Sequence, residues 1–188
     1  MRHIVVSVVM TATFLMTGVV RGEAADAHAS TTPPVLERPA HFKLADACPS
    51  IDDLIARLMD AVAKNNAAAV NRLRVTETEY RTFFLPGAGD PGQPGRVYDD
   101  GSSQFAWSKM NTNSTYALAG IMRDYGGHTF AVKEVRYLKG RKDYAWYTAY
   151  RTAGLILEDE TGKRGELVLG SIVEVDGQFK FMSLLGKR

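Results

Sequence analysis

Glu174-Val175-Asp176-Gly177-Gln178-Phe179-Lys180-Phe181 is the stretch on which the fold turns. Asp-Gly between alternating apolar residues signals a tight β-hairpin, because both residues tolerate the left-handed backbone such a turn requires. Two registers compete. A two-residue Asp176-Gly177 turn sets Val173 opposite Lys180 and Val175 opposite Gln178, mixing apolar with polar on one face. A three-residue turn, Val175-Asp176-Gly177, with Gly177 left-handed in a bulge, pairs Val173 with Phe179 and Glu174 with Gln178. The second sorts the faces and is the expected one. It turns Leu167, Leu169, Ser171, Val173, Phe179 and Phe181 inward.

Working outward from this hairpin, apolar residues alternate with period two back to His128. They predict four successive strands, at 129–138, 144–157, 166–175 and 178–185. In the second strand the odd positions, Ala145, Tyr147, Ala149, Arg151, Ala153 and Leu155, read as the inner face, since alternating alanines let a helix approach closely. Arg151 is then an inward guanidinium that needs an acid such as Asp124, backbone carbonyls or an anionic ligand. The even face, with Trp146, Thr148, Tyr150 and Thr152, is too aromatic for bare solvent. It reads either as a homodimer surface or as a surface covered by a loop.

Before His128 the period is helical. Ser50 caps a helix carrying Ile51, Leu54, Ile55, Leu58 and Val62 on one face, with Asp53 in an acidic variant of the capping box. A short helix with Ala67, Val70 and Leu73 follows. Thr76 and Glu79 then form a capping box opening a third helix, with Tyr80, Phe83 and Phe84 as its stripe before Pro86. A 19-residue Gly/Pro loop spans 85–103, a length typical of functional covers or mobile segments. The last helix carries Trp107, Met110, Ser114, Ala117, Ile121 and Tyr125, with a candidate break at the polar run 111–115, and ends at Gly126 and Gly127. Helices followed by an antiparallel meander define an α+β class.

This order, with the Asp-Gly hairpin and the Arg74-Val75-Thr76 run into Glu79-Tyr80-Arg81, resembles the nuclear-transport-factor-2-like (cystatin-like) superfamily over about 51–185, in particular exported members of uncharacterised function. The resemblance implies N-terminal helices wrapped by a curved four-stranded sheet into a cone whose open end can hold a ligand. The superfamily spans isomerases, dehydratases, transport adaptors and immunity proteins, so fold alone selects no activity.

The first 29 residues read as an export signal. Arg2 and His3 precede the apolar run 4–20, and Ala27-His28-Ala29 supplies an A-x-A cleavage pattern; a cut after Ala24 fits nearly as well. The run is short and polar for a spanning helix, so no membrane span is expected after cleavage. The expected location is periplasmic or secreted. Residues 30–49, with Pro33, Pro34 and Pro39, read as an extended tether, and 50–188 as one domain. Cleavage leaves 21 Lys+Arg against 19 Asp+Glu, a balance that argues against a nucleic-acid partner. Cys48 is the only cysteine, which excludes an intrachain disulfide, and its setting is wrong for a lipobox.

Chemistry-bearing patterns are sparse. The mature chain has two histidines, His41 and His128, and one cysteine, with no closely spaced set of zinc ligands; no cofactor or metal is expected. No nucleophile elbow, P-loop or dinucleotide fingerprint is present. Arg136, Lys139, Arg141 and Lys142 surround the expected first hairpin turn, either as an anionic-surface contact or as a solvated, edge-protecting tip. Glu158-Asp159-Glu160 lacks calcium-loop spacing, and Asn113-Ser114-Thr115 is a formal glycosylation sequon. Trp107, Tyr116, Tyr147 and Arg151 are the ligand-pocket candidates. The leading functional expectation is a non-catalytic exported domain that binds a small ligand, peptide or partner protein. One alternative is an enzyme of the ketosteroid-isomerase or dehydratase type drawing on Tyr116, Tyr147, Asp124 and His128. The other is an inhibitor or immunity-type interaction module.

Overall fold

A computed structural model describes residues 35–185. The expected export signal and its cleavage point lie outside the described residues.

The helices form where capping and periodicity place them. Ser50 Oγ accepts the Asp53 N–H at 3.0 Å and starts α1 (Ile51–Ala63), whose Leu54, Ile55, Leu58, Ala61 and Val62 are buried. Asn66 caps α2 (Ala67–Arg72). The Thr76–Glu79 capping box is complete in both directions and opens α3 (Glu77–Glu79), which widens at once into a π-helical turn, Tyr80–Phe84. Finally, α4 (Asp100–Tyr125) runs unbroken for 26 residues. The polar run 111–115 does not interrupt it, and three of its five residues are bonded. Asn111 accepts from Arg74, Ser114 Oγ accepts the Leu184 N–H, and Thr115 donates back to the Asn111 carbonyl.

The class is α+β, but the four expected strands are seven. They are β1 (Ala131–Tyr137), β2 (Arg141–Asp143), β3 (Thr148–Tyr150), β4 (Ala153–Glu158), β5 (Arg164–Val168), β6 (Ile172–Val175) and β7 (Gln178–Phe181). They make two antiparallel sheets, β1-β4-β5 and β2-β3-β6-β7. The first hairpin turn lies at 144–147, where the Tyr144 N–H bonds the Tyr147 carbonyl, and not around Lys139. Leu138-Lys139-Gly140 is instead a bulge between β1 and β2. Opposite it, Thr152 takes φ +56° and separates β3 from β4.

That kink reverses side-chain parity. Tyr150 packs toward the same interior as Ala153, Leu155 and Leu157, three residues on rather than two. Leu169 and Ile172 make the same three-residue step in the neighbouring strand. The interior is therefore divided in two rather than single. One cluster joins α1, α2 and the C-terminal half of α4 to Leu155, Leu167, Ile172 and Phe181. The other joins Phe83, Phe84, Leu44 and Trp146 to Ala149, Val173 and Val175.

The last hairpin takes the two-residue register: Val175 faces Gln178 and Val173 faces Lys180, with φ +49° at Asp176 and +75° at Gly177. The bulged alternative loses because Lys180 is not a surface residue. It is 1% exposed, and its ammonium bonds both oxygens of the buried Glu79 carboxylate, at 2.9 and 3.2 Å. With its charge paired inside, Lys180 is buried like the Val173 it faces. Ser171 and Phe179, expected inside, are only half-buried.

The stretch read as a tether is tied to the domain by contacts from Leu36 onward. Leu36 bridges Gly95, Arg38 pairs with Asp176, Phe42 stacks on Phe83 at 3.8 Å between ring centroids, and Cys48 exchanges two backbone hydrogen bonds with Phe179.

Candidate functional site

The long loop is a clamp. The Cβ that Gly87 lacks would sit 2.7 Å from Trp146 Cβ, and one at Gly95 would fall within the Trp146 ring. The Ala145 N–H bonds the Gly89 carbonyl at 2.9 Å, and Trp146 lies 6% exposed beneath the loop. Covering by the loop thus accounts for one half of the aromatic face expected on the second strand. The other half, Tyr150, packs on Tyr137 and donates to Glu174 at 2.8 Å. The outward side of the three-stranded sheet instead carries ion pairs, Arg136–Glu134 and Arg164–Glu158.

Clamping Trp146 fixes what flanks it. Tyr144 and Tyr147, on the two sides of the hairpin turn, stack at 4.7 Å, and Tyr147 meets Phe84 edge-on at 5.0 Å. Tyr80 comes from the π-helical turn and leans on Trp107 of α4 at 5.7 Å. Tyr98, 37% exposed, closes the loop. Burial raises the ionisation of Tyr147 far above the ordinary phenol range, and the nearby phenols of Tyr144, Tyr80 and Tyr98 push it further. Tyr80 is raised as well, by burial and by Tyr98. Four phenols and an indole therefore gather where four elements meet: the π-helical turn, the loop end, α4 and the β2–β3 turn. None of the four hydroxyls bonds another described residue, and none is sealed from solvent. Such a surface offers stiff apolar area with free hydrogen-bonding tips, the composition that dominates recognition patches.

Two of the four residues singled out in the sequence, Trp107 and Tyr147, lie in this cluster. The other two do not. Tyr116 is 75% exposed on the outer side of α4. Arg151 sits at the strand kink, where its guanidinium donates to the Lys139 carbonyl at 2.6 Å; its expected partner Asp124 bonds Arg123 instead. Tyr80 was legible as part of the Tyr80, Phe83 and Phe84 stripe, though not as part of a site; Tyr98 and Tyr144 had no periodic signal. Tyr144 and Tyr147 could have been found only by placing the hairpin turn correctly.

The groups considered for acid–base work do not converge with Tyr147. Asp124 and His128 line an open cleft of about 720 Å³ at the end of α4, shared with Asp159, Lys163 and Arg164. There Asp159 is held below the usual carboxylate range by the Thr161 hydroxyl, a bond that shapes its own turn. Tyr116 borders a different open cleft, of about 660 Å³, between α4 and β5. Among the described residues, no group of three or more His, Cys, Asp or Glu side chains is placed to hold a metal ion, and no helix is long and apolar enough to cross a membrane.

Cys48 is fully buried, and its thiol is pushed from an ordinary value of 9.0 up to about 11, first by burial and then by the neighbouring Asp53 carboxylate. Because the folded protein keeps this proton longer than the unfolded chain does, stability must fall as pH rises from about 9 to 11. Cys48→Ala is expected to flatten that limb of a pH series of urea midpoints. Thiol reagents at pH 8 are expected to label the wild-type protein only after denaturation.

No family model, no curated protein and no solved structure matches this chain. What its fold and surface define is a class: an α+β domain of helices against two antiparallel sheets, with a tyrosine-rich patch over a filled interior.

Proposed function

We propose that this protein is an exported, non-catalytic recognition domain that binds a peptide or partner protein through the Tyr80, Tyr98, Trp107, Tyr144 and Tyr147 patch. The observation carrying this reading is where the aromatic mass goes. Phe83, Phe84 and Phe181 are fully buried, so the volume a small ligand would take inside a cone is occupied by side chains. Of the free phenols, Tyr98 is exposed, and the half-buried Tyr80, Tyr144 and Tyr147 keep hydroxyls that reach solvent. The likeness to nuclear-transport-factor-2-like proteins fits the helix-then-meander order and is proposed on that basis, as is export on the N-terminal signal pattern.

The test is a photoreactive benzophenone side chain placed at Tyr98 or at Tyr116 in the protein expressed in its source cells. Adducts of discrete mass are expected from position 98, lost when Tyr144→Ala and Tyr147→Ala are added, and absent from position 116. Adducts from 116 alone, or from neither position, would remove the reading.

A further inference from the structure

Beside the tyrosine patch runs a sheet edge that no other described strand pairs. β1 is the outer strand of one sheet and β2 of the other, so residues 131–143 form one long edge joined through the Leu138-Lys139-Gly140 bulge. Along β2 the bonding alternation can be worked out. The Gly140 carbonyl accepts from the Arg151 N–H, and the Tyr144 N–H donates to the Tyr147 carbonyl. Lys142–Ala149 lies midway and is the hydrogen-bonded pair between them. The backbone groups of Arg141 and Asp143 therefore point away from the sheet.

Charge is concentrated on the same edge. From Lys133 to Arg151 there are six basic side chains (Lys133, Arg136, Lys139, Arg141, Lys142, Arg151) against two acidic ones, whereas the rest of the chain carries 17 against 19. Some are matched: Arg136 by Glu134, Arg141 by Asp143, Lys133 by Glu158. Lys142 reaches Asp90 only at 3.9 Å and lies over the Tyr144 ring at 4.7 Å. Lys139 has no acid among the described residues, and Arg151 donates only to a carbonyl while its Nε stays buried without a partner. Three poorly compensated cations thus border the outward backbone of β2.

Resting on the recognition reading above, we infer that the partner presents an acidic, extended segment that adds a strand to the β2 edge, its carboxylates meeting Lys139, Lys142 and Arg151. Strand addition supplies the affinity through main-chain bonds, and the charge pattern supplies the choice of partner. A lipid surface fits less well, because the bulge offers it one exposed apolar side chain, Leu138. Acids interleaved along the edge argue against a nucleic-acid backbone.

The experiment titrates the isotope-labelled protein with a ten-residue peptide of alternating Glu and Thr, and with its Lys/Thr counterpart. The acidic peptide is expected to shift the Arg141 and Asp143 amides and slow their hydrogen exchange. Its affinity is expected to fall at least tenfold in Lys139→Glu/Lys142→Glu and on raising salt from 50 to 500 mM. Equal binding of both peptides overturns the inference, as do shifts that avoid 139–143 or an inert acidic peptide, whether or not phosphatidylglycerol vesicles bind. The two readings separate cleanly. Shifts along 139–143 with Tyr144 and Tyr147 unmoved keep the edge and discard the patch, whereas shifts in the tyrosines without preference for Glu do the reverse.

Discussion

Glu79→Ala is expected to lower unfolding free energy by about 3–5 kcal/mol, a large share of what a domain of this size possesses. One carboxylate serves three parts of the chain. Its oxygens accept the Thr76 N–H at 2.6 Å, the Ala45 N–H at 2.7 Å and the Lys180 ammonium at 2.9 Å. Removing it strands a charge on a side chain 1% exposed and leaves two backbone donors without an acceptor. The urea midpoint measures the loss. Glu79→Gln/Lys180→Met tests the cause, because the amide oxygen still caps Thr76 while no charge stays buried. The double variant should be more stable than Glu79→Ala by at least about 1 kcal/mol. A loss below about 1 kcal/mol in Glu79→Ala would show that the pair is not integral to the packing of the N-terminal arm on β7.

The same pair marks where sequence reading stops. The capping residues Ser50 and Thr76 and the apolar stripes of α1 and α4 are local patterns, and each lies where its pattern puts it; the last hairpin turns at Asp176-Gly177, but not in the expected three-residue form. The hairpin register depends on Glu79, 101 residues before Lys180, and period-two patterning carries no information about such a partner. Parity failed for a similar reason. A β-branched residue with positive φ at Thr152 is a rare conformation that no local propensity favours. The surrounding structure holds it there, with Tyr150 and Ala153 packed on one side and the Thr152 carbonyl accepting the Leu138 N–H. With the kink unseen, Trp146 and Tyr150 both appeared as an outer aromatic face, and Arg151 as an inner cation. For the recognition patch, Trp107 was legible from helical spacing. Tyr80, Tyr98 and Tyr144 come together only through the π-helical turn, the loop clamp and the true turn at 144–147.

Trp146→Ala is expected to cost about 3–5 kcal/mol and to release the 85–103 loop. The indole fills the space between the loop and the second cluster, with Phe83 at 5.5 Å on one side and Gly87 and Gly95 on the other. Removing the indole takes away the contact on which Gly87 and Gly95 of the loop rest and leaves the loop its backbone bonds to Leu36, Phe83 and Ala145. Limited proteolysis should then cut between Gly87 and Val97 in the variant and spare the wild-type protein. Gly95→Ala approaches the same contact from the opposite side: its Cβ would overlap the ring and lift the loop without emptying the core. Both variants should displace Tyr98, and Trp146→Ala should also loosen Tyr144 and Tyr147, so partner binding should fall in each by more than stability alone explains. Unchanged cleavage in both variants would mean that the loop is held by other contacts and that the tyrosine patch does not depend on the clamp.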